Sequence, residues 1–310
     1  MSSLDSVFQP ETLRKIARCE LRARQVVEGL RAGRHAGNRY GHAALFREHR
    51  PYATGDDPRH IDWKVWARSD RLCVKQYDTE TNVNCLLLVD RSRSMAYGGQ
   101  GGWTKYDCAA TLAASLAWLA VRHQDTAGCL FFDKRAERIV PMKSQTGHAL
   151  ALANALDREA PLADAADGVH EEVNPEEALE TALLRFPRKG LVLLFSDCFM
   201  DREALASSLR SLRGHGRQVV LFQIVDKDEL ELPFQGSFRF CDLESSSSLV
   251  CNSRLIRKEY QRIVRESLSD LRHTCAKSGI DYFLVRTCDP VDVPLCQYLY
   301  EMPVQGAPLP

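Results

Sequence analysis

Asp90, Ser92 and Ser94 stand two residues apart in NCLLLVDRSRSM, Asn84 to Met95, directly after an unbroken apolar run. One carboxylate and two hydroxyls are hard oxygen donors. They suit a magnesium or manganese ion that keeps several waters and an open coordination position. At a surface, an acidic side chain of another molecule could fill that position, so the chemistry implied is metal-mediated capture of a partner carboxylate. The competing reading makes Asp90 a strand end and cap, with Ser92 and Ser94 as ordinary turn residues.

A second apolar run, LVLLFSD, ends in Ser196 and Asp197. In an open parallel sheet, ligands bind outside the carboxyl ends of the strands, near the point where strand order reverses. Two carboxylates that end two separate buried strands can converge there on one cation.

The elements needed to hold such a site follow from periodicity. Residues 9 to 31 have helical spacing, and LCVKQY reads as a short strand after a tight turn at Gly55 to Pro58, with Trp63 and Trp66 in a helical turn between them. From Asn84 strands and helices alternate. We expect strands at 84–90, 127–132, 137–141, 191–196, 218–225 and 281–286. Helices are expected near 104–123, 147–157, 175–186, 201–213 and 253–278, with a hairpin around Phe238 to Leu243 and a short terminal helix. This order predicts an α/β fold, a doubly wound, mostly parallel sheet covered on both faces, with an N-terminal helix and a small β-containing appendage.

Composition removes several alternatives. The 310 residues carry 41 Lys plus Arg and 41 Asp plus Glu, a formal net charge of zero, which offers no global attraction for nucleic acid or anionic membrane. No run approaches the roughly 18 apolar residues of a membrane span, and the first residues lack a signal-peptide core, so a cytoplasmic protein is expected. The eleven cysteines are dispersed without a C-x-x-C pair, which argues for reduced thiols, with Cys85 and Cys129 as small buried hydrophobes.

The loop Gly98-Gly99-Gln100-Gly101-Gly102 is not a phosphate cradle. Lys105 follows it, but neither G-x-x-x-x-G-K-[ST] nor a strand-adjacent G-x-G-x-x-G is present. Neither an H-E-x-x-H nor a G-x-S-x-G occurs, so zinc and serine hydrolase readings find no support.

Asp90-x-Ser92-x-Ser94 after a buried strand resembles the metal-ion-dependent adhesion site of the von Willebrand factor type A domain. The preceding segment narrows the resemblance. Arg50-Pro51-Tyr52, Gly55-Asp56-Asp57-Pro58-Arg59, Ile61-Asp62-Trp63-Lys64 and Ala67-Arg68 resemble the signature of the domain-of-unknown-function-58 family, as do Phe240-x-Asp242-Leu243, Tyr260 and Gly279-Ile280-Asp281-Tyr282 further on. The resemblance divides the chain into an N-terminal helix and signature segment, 1–80, packed on a type A-like domain, 81–305.

That resemblance implies a non-enzymatic, Mg2+-dependent adaptor working with an AAA-type ATPase of the MoxR class. Ser92 and Ser94 would bind the metal directly, with Asp90 and Asp197 nearby or bridged by water, and an acidic partner residue would complete the shell. Type A domains also supply a threonine at the head of the helix before the second aspartate. Here that place falls to Asn174, in VNPEEALETALLRF, where Pro175 and Glu176 suit a helix capped by Asn174. Thr146, in the Ser144-Gln145-Thr146 loop, is another candidate hydroxyl. The alternative function is a Mg-dependent, phosphatase-like hydrolase using Asp90 and Asp197.

Overall fold

The computed structural model describes residues 8–32, 46–51, 73–77, 83–99, 103–133, 138–161, 186, 189–200, 202–243 and 247–301. Two compact units divide the chain, residues 1–35 with 83–310 and residues 36–82.

The first described helices of the larger unit are α1 (Pro10–Leu13) and α2 (Cys19–Ala32), where the sequence pattern predicts one helix over 9 to 31. The break has a tertiary cause. The carboxylate of Asp157 accepts the amide of Cys19 at 2.9 Å, so the second helix is capped from 138 residues away, a signal that no local pattern carries.

The smaller unit contains β1 (Phe46–Pro51) and β2 (Cys73–Tyr77), paired antiparallel from Phe46↔Tyr77 to Pro51↔Cys73. The second is the expected strand at LCVKQY. The first, FREHRP, has no alternation to reveal it and ends in a proline, which sheets accept at edges and strand ends. The expected turn at Gly55 to Pro58 and the segment with Trp63 and Trp66 lie outside the described residues.

The main sheet is built from β3 (Asn84–Asp90), β4 (Thr126–Phe132), β5 (Arg138–Lys143), β6 (Gly190–Ser196), β7 (Arg217–Val225) and β10 (Asp281–Arg286). Between them run α3 (Lys105–Arg122), α4 (Thr146–Arg158), α5 (Arg202–Arg213), α6 (Lys227–Glu231) and α7 (Ser253–Lys277), with α8 (Asp292–Glu301) at the end. A small hairpin, β8 (Ser237–Cys241) with β9 (Ser248–Asn252), precedes α7 and is the one expected near Phe238. The helix expected at 175–186 lies outside the described residues except for Phe186, which is buried.

Strand order is β10-β7-β6-β3-β4-β5, parallel throughout except for β5, which runs antiparallel at one edge. Successive residues of each central strand point to opposite faces. Leu87, Val89, Phe131, Phe195 and Phe222 pack with α2, α3, α4 and α8, while Leu86, Leu88, Leu130, Leu194 and Leu221 pack with α5 and the end of α7. Burial on both faces explains why these strands read as continuous apolar runs. Cys85 and Cys129 are buried in the first of these layers. The fold is therefore the expected α/β arrangement.

The chain leaves β3 for β4 on one side and later returns to pair β6 with the other edge of β3. That reversal opens a crevice beyond the ends of β3 and β6, where Val89 stands opposite Phe195. Asp90 and Asp197 sit at that crevice.

Candidate metal centre

Asp90 closes β3 with 3% of its surface exposed. Its Oδ1 accepts the Ser92 amide at 2.8 Å, and its Oδ2 accepts the Ser196 hydroxyl at 2.6 Å. The next residue, Arg91, anchors the chain: its amide donates to the Phe132 carbonyl, and its guanidinium pairs with Asp133 and Glu159. The following 3-10 turn, Arg93–Ala96, buries Ser94 and Met95 and brings the Ser94 hydroxyl to 3.1 Å from that of Ser92. The predicted trio is thus one cluster. Burial, and then the charge of Asp197, push the Asp90 carboxyl up to about 7, against the lowering effect of the Ser196 and Ser92 hydrogen bonds.

Asp197 follows β6 and is 1% exposed. Its Oδ1 accepts the Phe199 amide at 3.1 Å, and its backbone carbonyl accepts Nε2 of Gln223 at 3.1 Å, whose Oε1 accepts the Tyr282 hydroxyl at 2.7 Å. Between the two acids, Ser196 Oγ donates to Asp90 and accepts the Cys198 amide at 2.9 Å, across a turn in which Cys198 adopts φ +60. A non-glycine residue in that region is held there by its surroundings.

The other oxygen of Asp197 has a charged partner. Lys105 Nζ lies 2.7 Å from Asp197 Oδ2 and 2.6 Å from Glu229 Oε1, and the lysine is fully buried. Burial alone would lower the ammonium's pKa, but Asp197 and then Glu229 outweigh it, so the net direction is upward. Glu229 is itself fixed by a capping box: Asp226 caps α6 through the Asp228 amide, and Glu229 Oε2 accepts the Asp226 amide at 2.8 Å.

The donor set fits a hard divalent cation at Asp90, Ser92 and Ser94, which offer one carboxylate and two hydroxyls beside a buried excess of negative charge. Among the described residues no group of three or more His, Cys, Asp or Glu side chains could hold a metal, so any cation here depends on the serine hydroxyls. Asp197 belongs to the same crevice, but its Oδ2 is already engaged by an ammonium.

Thr146 requires a correction. It is the first residue of α4, which follows β5, and β5 runs antiparallel, so that Lys143 pairs with Ala127 at the start of β4 while Asp90 pairs with Phe132 at its end. Five strand residues separate those levels, roughly 16 Å. Thr146 therefore begins at the far end of the sheet from the cluster. Asn174 lies outside the described residues.

Sequence reasoning missed Lys105, Glu229 and the hydroxyl of Ser196 as members of the site. One signal was available for Lys105: a cation opens KYDCAATLAASLAWLAVR, at the end of an apolar helix where the dipole disfavours positive charge.

Comparison with known proteins gives a match to the family model described as "Protein of unknown function DUF58" over residues 48–270. Similar curated proteins include the uncharacterized protein Rv1480 of Mycobacterium tuberculosis and the uncharacterized protein Mb1516 of Mycobacterium bovis. Each is 26% identical over 284 residues, covering 91% of this chain and 86% of the relative. Similar solved structures include the conserved hypothetical protein BatB from Bacteroides thetaiotaomicron, 16% identical with a TM-score of 0.44 over 70% of this chain and 96% of that one. Another is the SpRpn10 VWA domain, 7% identical with a TM-score of 0.39 over 70% and 95%. Among the described residues no helix is long and apolar enough to cross a membrane.

Proposed function

This chain belongs to the family described as Protein of unknown function DUF58, and on that footing we propose that it is a non-enzymatic adaptor that binds a protein partner through a divalent cation. The observation supporting this reading is the gathering of Asp90, Ser92 and Ser94 at the crevice where strand order reverses, with Asp90 buried beside a second carboxylate. Bound there, Mg2+ or Mn2+ would supply a Lewis-acidic position open to a partner's acidic side chain. Ser92 and Ser94 contribute neutral oxygens, and Asp90 contributes the charge. Ser196 orients the Asp90 carboxylate, and Arg91 holds the loop to the end of β4.

The partner class we propose is an AAA-type ATPase of the MoxR class, met in the cytoplasm, as the family resemblance implies. Titration of Mn2+ into wild type, Asp90→Ala and the double variant Ser92→Ala/Ser94→Ala tests the site itself, with circular dichroism to follow the fold. Wild type is expected to bind, and both variants to lose at least about tenfold in affinity while keeping their spectra. Equal binding by all three, or none by wild type, contradicts the reading.

A further inference from the structure

Lys105 stands in the wrong place by local rules. It opens α3 at the positive end of the helix dipole and has no exposed surface, two conditions that disfavour an ammonium unless it is paired. Both partners are carboxylates, Asp197 at 2.7 Å and Glu229 at 2.6 Å, drawn from positions 92 and 124 residues away.

The geometry makes this pairing hard to undo. The backbone of Lys105 is fixed from both sides, by the hydrogen bond its amide donates to the Tyr97 carbonyl at 2.9 Å and by the capping box of Thr104 with Asp107. The Phe199 ring stands over its ammonium at 4.7 Å. Asp197 is tied by the Phe199 amide and through its carbonyl to Gln223, and Glu229 by its cap. Turning Asp197 toward a metal would leave a buried ammonium with one partner fewer and break the Phe199 contact.

We infer that Lys105 is the resident cation of Asp197, holding that carboxylate out of the metal's shell so that Asp90, Ser92 and Ser94 are the protein donors. This rests on the metal reading above. A cation held by one carboxylate instead of two binds less tightly and keeps more positive charge for an incoming acidic side chain. Lys105 is thus a positioning residue that sets the strength of the site without touching the metal.

The test is titration of Mn2+ alone into the full chain. Lys105→Met, which keeps an unbranched side chain one atom shorter and removes the charge, releases Asp197 and is expected to raise Mn2+ affinity by at least about tenfold. Asp197→Asn in the otherwise unchanged chain is expected to lower it by less than about tenfold, whereas Asp90→Asn abolishes binding. Unchanged or weaker binding by a folded Lys105→Met protein overturns the inference, as does a loss in Asp197→Asn equal to that in Asp90→Asn. Should Lys105→Met fail to fold, Lys105→Met/Glu229→Gln removes one uncompensated acid and takes the same readout; if neither folds, Asp197→Asn decides. A wild type that binds no Mn2+ contradicts the metal reading instead. The lysine inference then survives only if Lys105→Met acquires a site.

Discussion

Ser196 Oγ donates a 2.6 Å hydrogen bond to Oδ2 of Asp90, joining the ends of two strands that are 106 residues apart in sequence. The same hydroxyl accepts the Cys198 amide, so one oxygen sets both the orientation of the first acid and the turn that carries the chain past the second. Ser196→Ala removes a bond to a buried carboxyl group and strands a backbone amide. It is expected to lower stability by about 1.5–3 kcal/mol, read as a shift of the urea midpoint at constant slope; a loss under about 0.5 kcal/mol would show that the bond carries little.

The metal-free protein should have a pH signature. The folded-state pKa of Asp90 is raised to about 7 from an ordinary value of 3.8, first by burial and then by Asp197. A folded state that holds a proton the unfolded chain releases has its full stability below about pH 4 and loses it as pH rises toward 7. In chelator, Asp90→Asn should therefore match wild type near pH 4 and become the more stable of the two by pH 8. Adding Mg2+ should return the difference to wild type, because the cation replaces the proton as the carboxylate's partner. Parallel stability curves in chelator would contradict the buried, charge-opposed environment assigned to Asp90.

Gly190 starts β6 beside the first residue of β3, with φ +147 and no room for a side chain: a Cβ built there would lie 2.4 Å from the Asn84 carbonyl oxygen. Gly190→Ala must strain the backbone and push the strands apart at the end opposite the site. A destabilisation of at least about 1–3 kcal/mol is expected in chemical denaturation. Metal affinity of the folded fraction should be unaffected, since the site lies at the other end of both strands.

Some of this was legible from residue order alone, because the physics was local. Continuous apolar runs ending in Asp90 and in Ser196-Asp197 marked two doubly buried strands and placed both acids at strand ends. The spacing of Ser92 and Ser94 gave the remaining donors. What could not be read was set by distant partners. The break between α1 and α2 depends on Asp157, and the burial of Lys105 depends on Glu229, 124 positions downstream. Thr146 stands away from the cluster because the direction of β5 is not written in its own residues: antiparallel pairing carries the chain back to the start of β4 before α4 begins. FREHRP gave no strand signal, since its pairing with β2 owes nothing to an apolar alternation.

The bridge proposed above, a cation at Asp90, Ser92 and Ser94 shared with an acidic side chain of a partner, has a direct test. The most direct measurement is retention of an AAA-type ATPase of the MoxR class on the immobilised full chain, wild type against Asp90→Ala, each in Mg2+ and in chelator. Retention by wild type is expected in Mg2+, with loss both in chelator and in Asp90→Ala, the fold of the variant staying intact. Equal retention in all four conditions would contradict it.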